Sequence, residues 1–77
     1  MKTCIITGAS KGIGRAIAIQ MSKKTEISTL ILLARSESEL QITKELMDQS
    51  KNIETYPIDL METDHVIELI NHIGKKI

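Results

Sequence analysis

Thr7-Gly8-Ala9-Ser10-Lys11-Gly12-Ile13-Gly14 is the stretch of this 77-residue chain whose residue types and spacing best suit a chemical task. A diphosphate carries negative charge that a protein must meet without a steric clash. Gly8 lets the chain turn sharply as it leaves a strand. Gly12 lets the backbone come close to phosphate oxygens, and Gly14 lets the next helix pack tightly against the strand. The first turn of that helix then offers free N–H groups and a partial positive charge. A GxxxGxG string alone recurs by chance, and a plain tight turn is the competing reading. The diphosphate reading needs a strand before the glycines, a helix after them and a βαβ unit around them.

The flanking sequence supplies that context. Thr3 to Thr7 is a short apolar, β-branched run that stops at Gly8, the pattern of a buried strand. From Ile13, the residues Ile13, Ala16, Ile17 and Met21 keep the spacing of an amphipathic helix. Its end is expected near Lys23 and Lys24, whose cations complement a helix C-terminus. Thr29 to Ala34 is apolar on both faces, as a central strand of a covered parallel sheet must be. Ser36 and Glu39 form a capping box for a second helix, with Leu40, Lys44 and Met47 on one line and Ile42 and Leu46 on the next. Ile53 to Leu60 reads as a third strand, and Pro57 within it places that strand at a sheet edge. A last helix is expected over about Thr63–His72, with Val66, Ile67, Ile70 and Ile73 toward the core.

This order predicts an α/β fold, the N-terminal βαβαβα half of a Rossmann-type doubly wound parallel sheet with right-handed crossovers. Residues 1–77 would form one partial domain. In a half sheet the first strand lacks its next neighbour, which leaves an apolar edge open to self-association. A core this small also needs help from a ligand, a partner or further chain.

Composition narrows the function classes. Ten basic residues balance ten acidic ones, so no global field favours nucleic acid or an anionic membrane. Tyr56 is the only aromatic residue, which excludes a stacking platform for single-stranded nucleic acid. No apolar stretch approaches a membrane span, and Met1-Lys2 leads straight into a strand without a signal-peptide core. Cys4, the single cysteine, forms no disulfide and reads as a small core residue rather than a nucleophile. These features fit a cytoplasmic protein. His65 and His72 share a helix face without a third ligand, so no metal site is expected. Ser10, Ser22 and Ser28 have no base placed to activate them. Lys44, Glu45, Asp48 and Lys51 read as a solvated helix face.

TGASKGIG matches TGxxxGxG, and in this the chain resembles the short-chain dehydrogenases/reductases of the single-domain branch. The extended branch, with TGxxGxxG, would need glycine where Lys11 stands. The resemblance runs the length of the chain. Arg35 follows the second strand, Asp59-Leu60 ends the third, and Gly74-Lys75-Lys76-Ile77 is similar to the stretch before the family's fourth strand. It implies hydride transfer between a nicotinamide cofactor and an alcohol or carbonyl. It also implies that Thr7, Gly8, Gly12 and Gly14 shape the turn, and that Ser10 and Lys11 lie by the adenosine ribose and its phosphate. Ile13 would approach the pyrophosphate and nicotinamide through its backbone. Asp59 would accept a hydrogen bond from the adenine amino group, with Leu60 against the ring.

Cofactor choice has a separate physical argument. Binding of NAD(H) in this fold ordinarily uses an acidic residue ~20 residues after the glycines to hold the ribose hydroxyls. Here Ala34-Arg35-Ser36 occupies that place and no carboxylate precedes Glu37. Arg35 offers a planar cationic fork for a 2′-phosphate, and Lys11 adds a second positive charge. NADP(H) is therefore favoured over NAD(H), against the reading of both as solvated loop cations.

The family's catalytic set is a Tyr-x-x-x-Lys pair, an upstream serine and an Asn-Asn-Ala-Gly segment. Tyr56 is followed at the fourth position by Leu60, and Asn52 and Asn71 stand alone. Tyr56 reads as a packing residue, and no catalytic residue is assigned. Two readings follow. The chain is the N-terminal cofactor-binding segment of an NADP(H)-dependent oxidoreductase, or it is a non-catalytic nucleotide-binding or interaction module, or a gene remnant without function.

Overall fold

A computed structural model describes residues 2–59, 61 and 63–76. The isoleucine- and leucine-rich run at the centre of the chain forms β2 (Ile27–Ala34), flanked by β1 (Lys2–Thr7) and β3 (Asn52–Pro57) in a parallel sheet of order β1-β2-β3. Every residue from Leu30 to Ala34 is buried, because helices cover both faces of this strand. Leu30, Leu32 and Ala34 join Ile6, Ala18, Leu40 and Met47 in a core beneath α1 (Gly12–Ser22) and α2 (Glu37–Leu46). Ile31 and Leu33 point the other way, to Ile73 of α3 (Thr63–Lys76), with Leu69, Tyr56 and Ile58 around them. Parallel strands joined by α1 and α2 on one face, with α3 on the other, give the N-terminal βαβαβα unit of a Rossmann-type sheet, as the sequence predicts.

β3 lies at the edge as Pro57 requires, but it ends at Pro57 rather than at Leu60. Pro57 lies opposite Ala34, and one further backbone bond, from Ile58 N–H to the Ala34 carbonyl at 2.7 Å, closes the pairing. Asp59 is thus in the loop beyond the strand, and Leu60 lies outside the described residues. β1 is the opposite edge. Its Ile5 pairs in register with Ile31, faces the α3 side and remains 49% exposed.

The helix faces depart from the apolar periodicity. In α1 the buried residues are Ala18 and Ser22, while Ile13 is 81% and Ile17 47% exposed. The cause is Gly14. A Cβ there would collide with the Gly8 carbonyl, so α1 is seated on the turn through the small residues Gly14, Ala18 and Ser22, four apart. That seating rotates the isoleucines outward. Ser22 then donates its hydroxyl to the Ile19 carbonyl at 2.7 Å and accepts the Asp48 N–H at 3.0 Å, tying α1 to the loop before β3. α1 ends at Ser22 with Lys23 as its C-cap, so the helix stops at Lys23 and Lys24 as expected. Lys51, by contrast, is not part of a solvated helix face. It lies in that same loop, and its ammonium donates to the carbonyls of Lys24 and Ile27 at 2.8 and 2.6 Å.

In α2, Ser36 is the N-cap and accepts the Glu39 N–H at 3.3 Å. The buried line is Leu40, Thr43 and Met47, with Ile42 and Leu46 exposed. In α3, Leu69 and Ile73 meet the sheet, whereas Ile67 and Ile70, expected inside, are 53% and 58% exposed on an adjoining flank. α3 also continues through Gly74 to Lys76, past the end near His72 expected from the sequence.

Candidate functional site

The strands end together at Thr7, Ala34 and Pro57, and the segments that leave them enclose a cavity at the C-terminal edge of the sheet. Such an edge is where an open parallel sheet offers a crevice for a ligand. The cavity measures about 530 Å³ and is lined by Gly8, Ser10, Lys11, Ala34, Arg35, Ile58, Asp59 and Met61. A neighbouring recess of about 360 Å³ is lined by Ser10, Lys11, Arg35, Ser36 and Glu39. Five residues expected at one site, Gly8, Ser10, Lys11, Arg35 and Asp59, thus meet across three separate connections of the chain.

The turn itself depends on left-handed backbone. Gly8 has φ 64° and Gly12 φ 60°, values that a side chain makes costly, and nothing lies within 4 Å of where a Cβ would stand at either. Lys11 is the N-cap of α1, makes no side-chain capping bond, and no acidic residue sits in the first turn. The leading N–H groups of α1 therefore keep their positive end of the helix dipole available to an anion. Lys11 and Arg35 are both exposed, and neither side chain is engaged in a hydrogen bond or ion pair among the described residues.

Other expected residues sit differently. Thr7 is the last residue of β1, and Gly14 lies underneath the turn as the seat of α1. Ile13 stands on the outer face of α1, so only its backbone belongs to the turn. Asp59 accepts the Met61 N–H at Oδ1, 2.9 Å away. Ala34, Ile58 and Met61 line the cavity without having been anticipated. Met61 is 87% exposed and places a thioether at the rim.

The larger addition is Arg15. Its Nε donates to Thr43 Oγ1 at 2.9 Å, and its Nη2 donates to Glu39 Oε2 at 2.8 Å and to the Ser10 carbonyl. Thr43, fully buried, donates in turn to the Ala9 carbonyl at 2.8 Å. Two carbonyls of the glycine turn are thereby fixed from below by α1 and α2. The Glu39 carboxylate goes to Arg15, and only the Ser36 half of the capping box is made. The Arg15–Glu39, Arg15–Thr43 and Thr43–Ala9 contacts span 24 to 34 residues, which no local spacing announces.

Tyr56 is a packing residue. Its hydroxyl donates to Glu54 at 2.6 Å and its ring meets His72 edge to face at 6.2 Å. Cys4 is half-buried against the α1–α2 core, and burial pushes its thiol pKa up. Among the described residues no group of His, Cys, Asp and Glu is placed to hold a metal ion, and no helix is long and apolar enough to cross a membrane.

A parallel βαβαβα sheet with a glycine turn between its first strand and helix defines a Rossmann-type fold. The chain belongs to the short-chain dehydrogenase family, whose model matches residues 2–77. It is 33% identical over 75 residues to an NADPH-dependent pterin aldehyde reductase of Arabidopsis thaliana, covering 97% of this chain and 30% of that protein. Among solved structures it is similar to a short chain dehydrogenase from Bacillus anthracis, with TM-score 0.82 and 29% identity over 97% of this chain and 30% of that one. A metagenomic short-chain oxidoreductase in complex with NADP matches with TM-score 0.79 and 26% identity over 94% of this chain and 32% of its own. The chain thus spans about a third of the length of these relatives.

Proposed function

We propose that residues 1–77 are a partial NAD(P)-binding domain, the cofactor-binding segment of an NADP(H)-dependent oxidoreductase that interconverts carbonyl and alcohol groups. One observation carries the proposal. The cavity at the sheet edge joins a helix N-terminus without a side-chain cap to two cations, Lys11 and Arg35, that are unpaired among the described residues, with no carboxylate at the end of β2. The open space over Gly8 and Gly12 fits a diphosphate approaching the backbone. An NADPH-dependent relative and an NADP-bound one support the same cofactor.

The nicotinamide cofactor, when bound, supplies or takes up the hydride; this chain's residues hold it. In this reading Thr7, Gly8, Gly12 and Gly14 shape the turn. The Ile13 backbone meets the pyrophosphate, and Ser10, Lys11 and Arg35 take the adenosine ribose and its 2′-phosphate. Asp59 meets the adenine amino group, with Leu60 beside the ring.

Titration of the 77-residue chain with NADPH and NADH tests the reading, with tighter binding of NADPH expected. Arg35→Ala should weaken NADPH by roughly 10- to 100-fold, the worth of one charge-assisted hydrogen bond at ~1.5–3 kcal/mol, and leave NADH nearly unchanged. Equal affinities in the unmodified chain would refute the NADP(H) assignment. With Leu60 four residues after Tyr56, these residues should bind cofactor without reducing a carbonyl. Carbonyl-dependent oxidation of NADPH by the same chain would overturn that.

A further inference from the structure

We propose that Arg15 is a positioning residue for cofactor selectivity, because it withholds the Glu39 carboxylate from the recess that Lys11 and Arg35 present to a 2′-phosphate. The inference rests on the proposed NADP(H) reading and goes beyond it. Glu39 lines the recess together with Lys11 and Arg35, so a carboxylate stands in the wall of a pocket meant for an anion. Left alone, that carboxylate would repel a phosphate and pair with either cation, as the acidic residue of an NAD(H) site disfavours the 2′-phosphate.

The structure shows why it does neither. Arg15 Nη2 binds Glu39 Oε2 at 2.8 Å, with the Arg15 side chain 23% and the Glu39 side chain 42% exposed. The guanidinium is itself fixed by Thr43 Oγ1 at 2.9 Å and by the Ser10 carbonyl, so the fork cannot follow the carboxylate into the recess. Glu39 is spent on Arg15, and Lys11 and Arg35 keep no partner among the described residues. One buried-side arginine thereby leaves two rim cations to the ligand.

The test measures NADP+ and NAD+ dissociation constants for the 77-residue chain and its variants, with circular dichroism as the check of fold. Arg15→Met frees Glu39 and should weaken NADP+ about tenfold more than NAD+, the scale of one charge-assisted hydrogen bond, beyond any loss that the loosened turn imposes on both cofactors alike. Adding Glu39→Gln to Arg15→Met removes the freed charge and should restore the NADP+ preference. A purely structural role for Arg15 predicts the opposite pattern: both cofactors weaken in parallel and Glu39→Gln rescues neither, which would overturn the proposal. Should Arg15→Met fail to fold, Arg15→Gln keeps a donor for the Ser10 carbonyl while losing the charge, and the same two outcomes apply. An unmodified chain that binds both cofactors equally refutes the NADP(H) reading itself. A chain that prefers NADP+ while Arg15→Met leaves the ratio unaltered refutes only the role of Arg15.

Discussion

Alanine in place of Gly14 sets two physical effects of opposite sign against each other. Gly14 is in the first turn of α1, and intrinsic helix propensity favours alanine over glycine there by about 1 kcal/mol. The added methyl, however, would overlap the carbonyl of Gly8. The atoms it meets are main chain, and they are held. The Ala9 N–H reaches the Leu33 carbonyl at 3.3 Å, and the Ala9 carbonyl takes the Thr43 hydroxyl at 2.8 Å. Relief therefore requires α1 to move outward, at the expense of the burial of Ala18 and of the Ser22 bond to the Asp48 N–H. Overpacking costs about 1–3 kcal/mol, occasionally more, and a strained hydrogen bond about 1 kcal/mol.

After the propensity gain, Gly14→Ala should destabilise the chain by about 1–3 kcal/mol, a fall in Tm of roughly 5–20 °C for a domain of this size. Gly74→Ala is the internal control. Gly74 is also helical, in α3, yet nothing lies within 4 Å of its Cβ position, so the same substitution should stabilise by about 0.5–1 kcal/mol. Thermal melts followed by circular dichroism read both variants. A Gly14→Ala chain as stable as the parent, or more so, would refute the seating of α1 on the glycine turn.

Two further predictions concern the turn and the loop before β3. Thr43→Val keeps shape but leaves the Ala9 carbonyl and Arg15 Nε without their buried partner, and should cost about 1–3 kcal/mol in a urea titration. Asp48 has its pKa lowered by the Ser50 N–H first and then by the Ser50 hydroxyl, at 3.0 and 2.7 Å. A depressed carboxylate contributes stability above the ordinary aspartate range and loses it as pH falls through the lowered value. Urea midpoints of Asp48→Asn, compared near neutral pH and in strong acid, should therefore fall less on acidification than those of the parent.

What the sequence made legible was the part governed by local rules. The doubly apolar β2 run, Pro57 at an edge, the Ser36 cap and the glycines each follow from chemistry within a few residues. The helix faces did not, because they are set by how closely two backbones approach. Ile13 and Ile17 gave α1 a clear apolar stripe, and Gly14, Ala18 and Ser22 gave a stripe of small residues with the same period. Only contact with the turn decides which stripe faces inward. In α3 the choice between Leu69 with Ile73 and Ile67 with Ile70 is likewise set by where the sheet lies. Arg15 was illegible for a further reason. Its partners Glu39 and Thr43 are 24 and 28 residues away, and a charged residue after a glycine motif reads as surface.

The glycine turn is consequently held from one side and open from the other. Beneath it, Gly14 seats the helix, and Arg15 with Thr43 binds the carbonyls of Ala9 and Ser10. Those carbonyls are oxygens that would repel a phosphate if they turned toward it; fixed downward, they leave the α1 N–H groups to face the cavity. Above it, Lys11 and Arg35 remain without partners among the described residues. The two sides depend on each other, because Arg15 both anchors the turn and pairs with Glu39, a carboxylate in the wall of the recess that Lys11 and Arg35 line. A change at Arg15 should therefore reach the ligand by two separable routes. Turn geometry acts on every dinucleotide alike, and the freed Glu39 charge acts only on one that carries a 2′-phosphate.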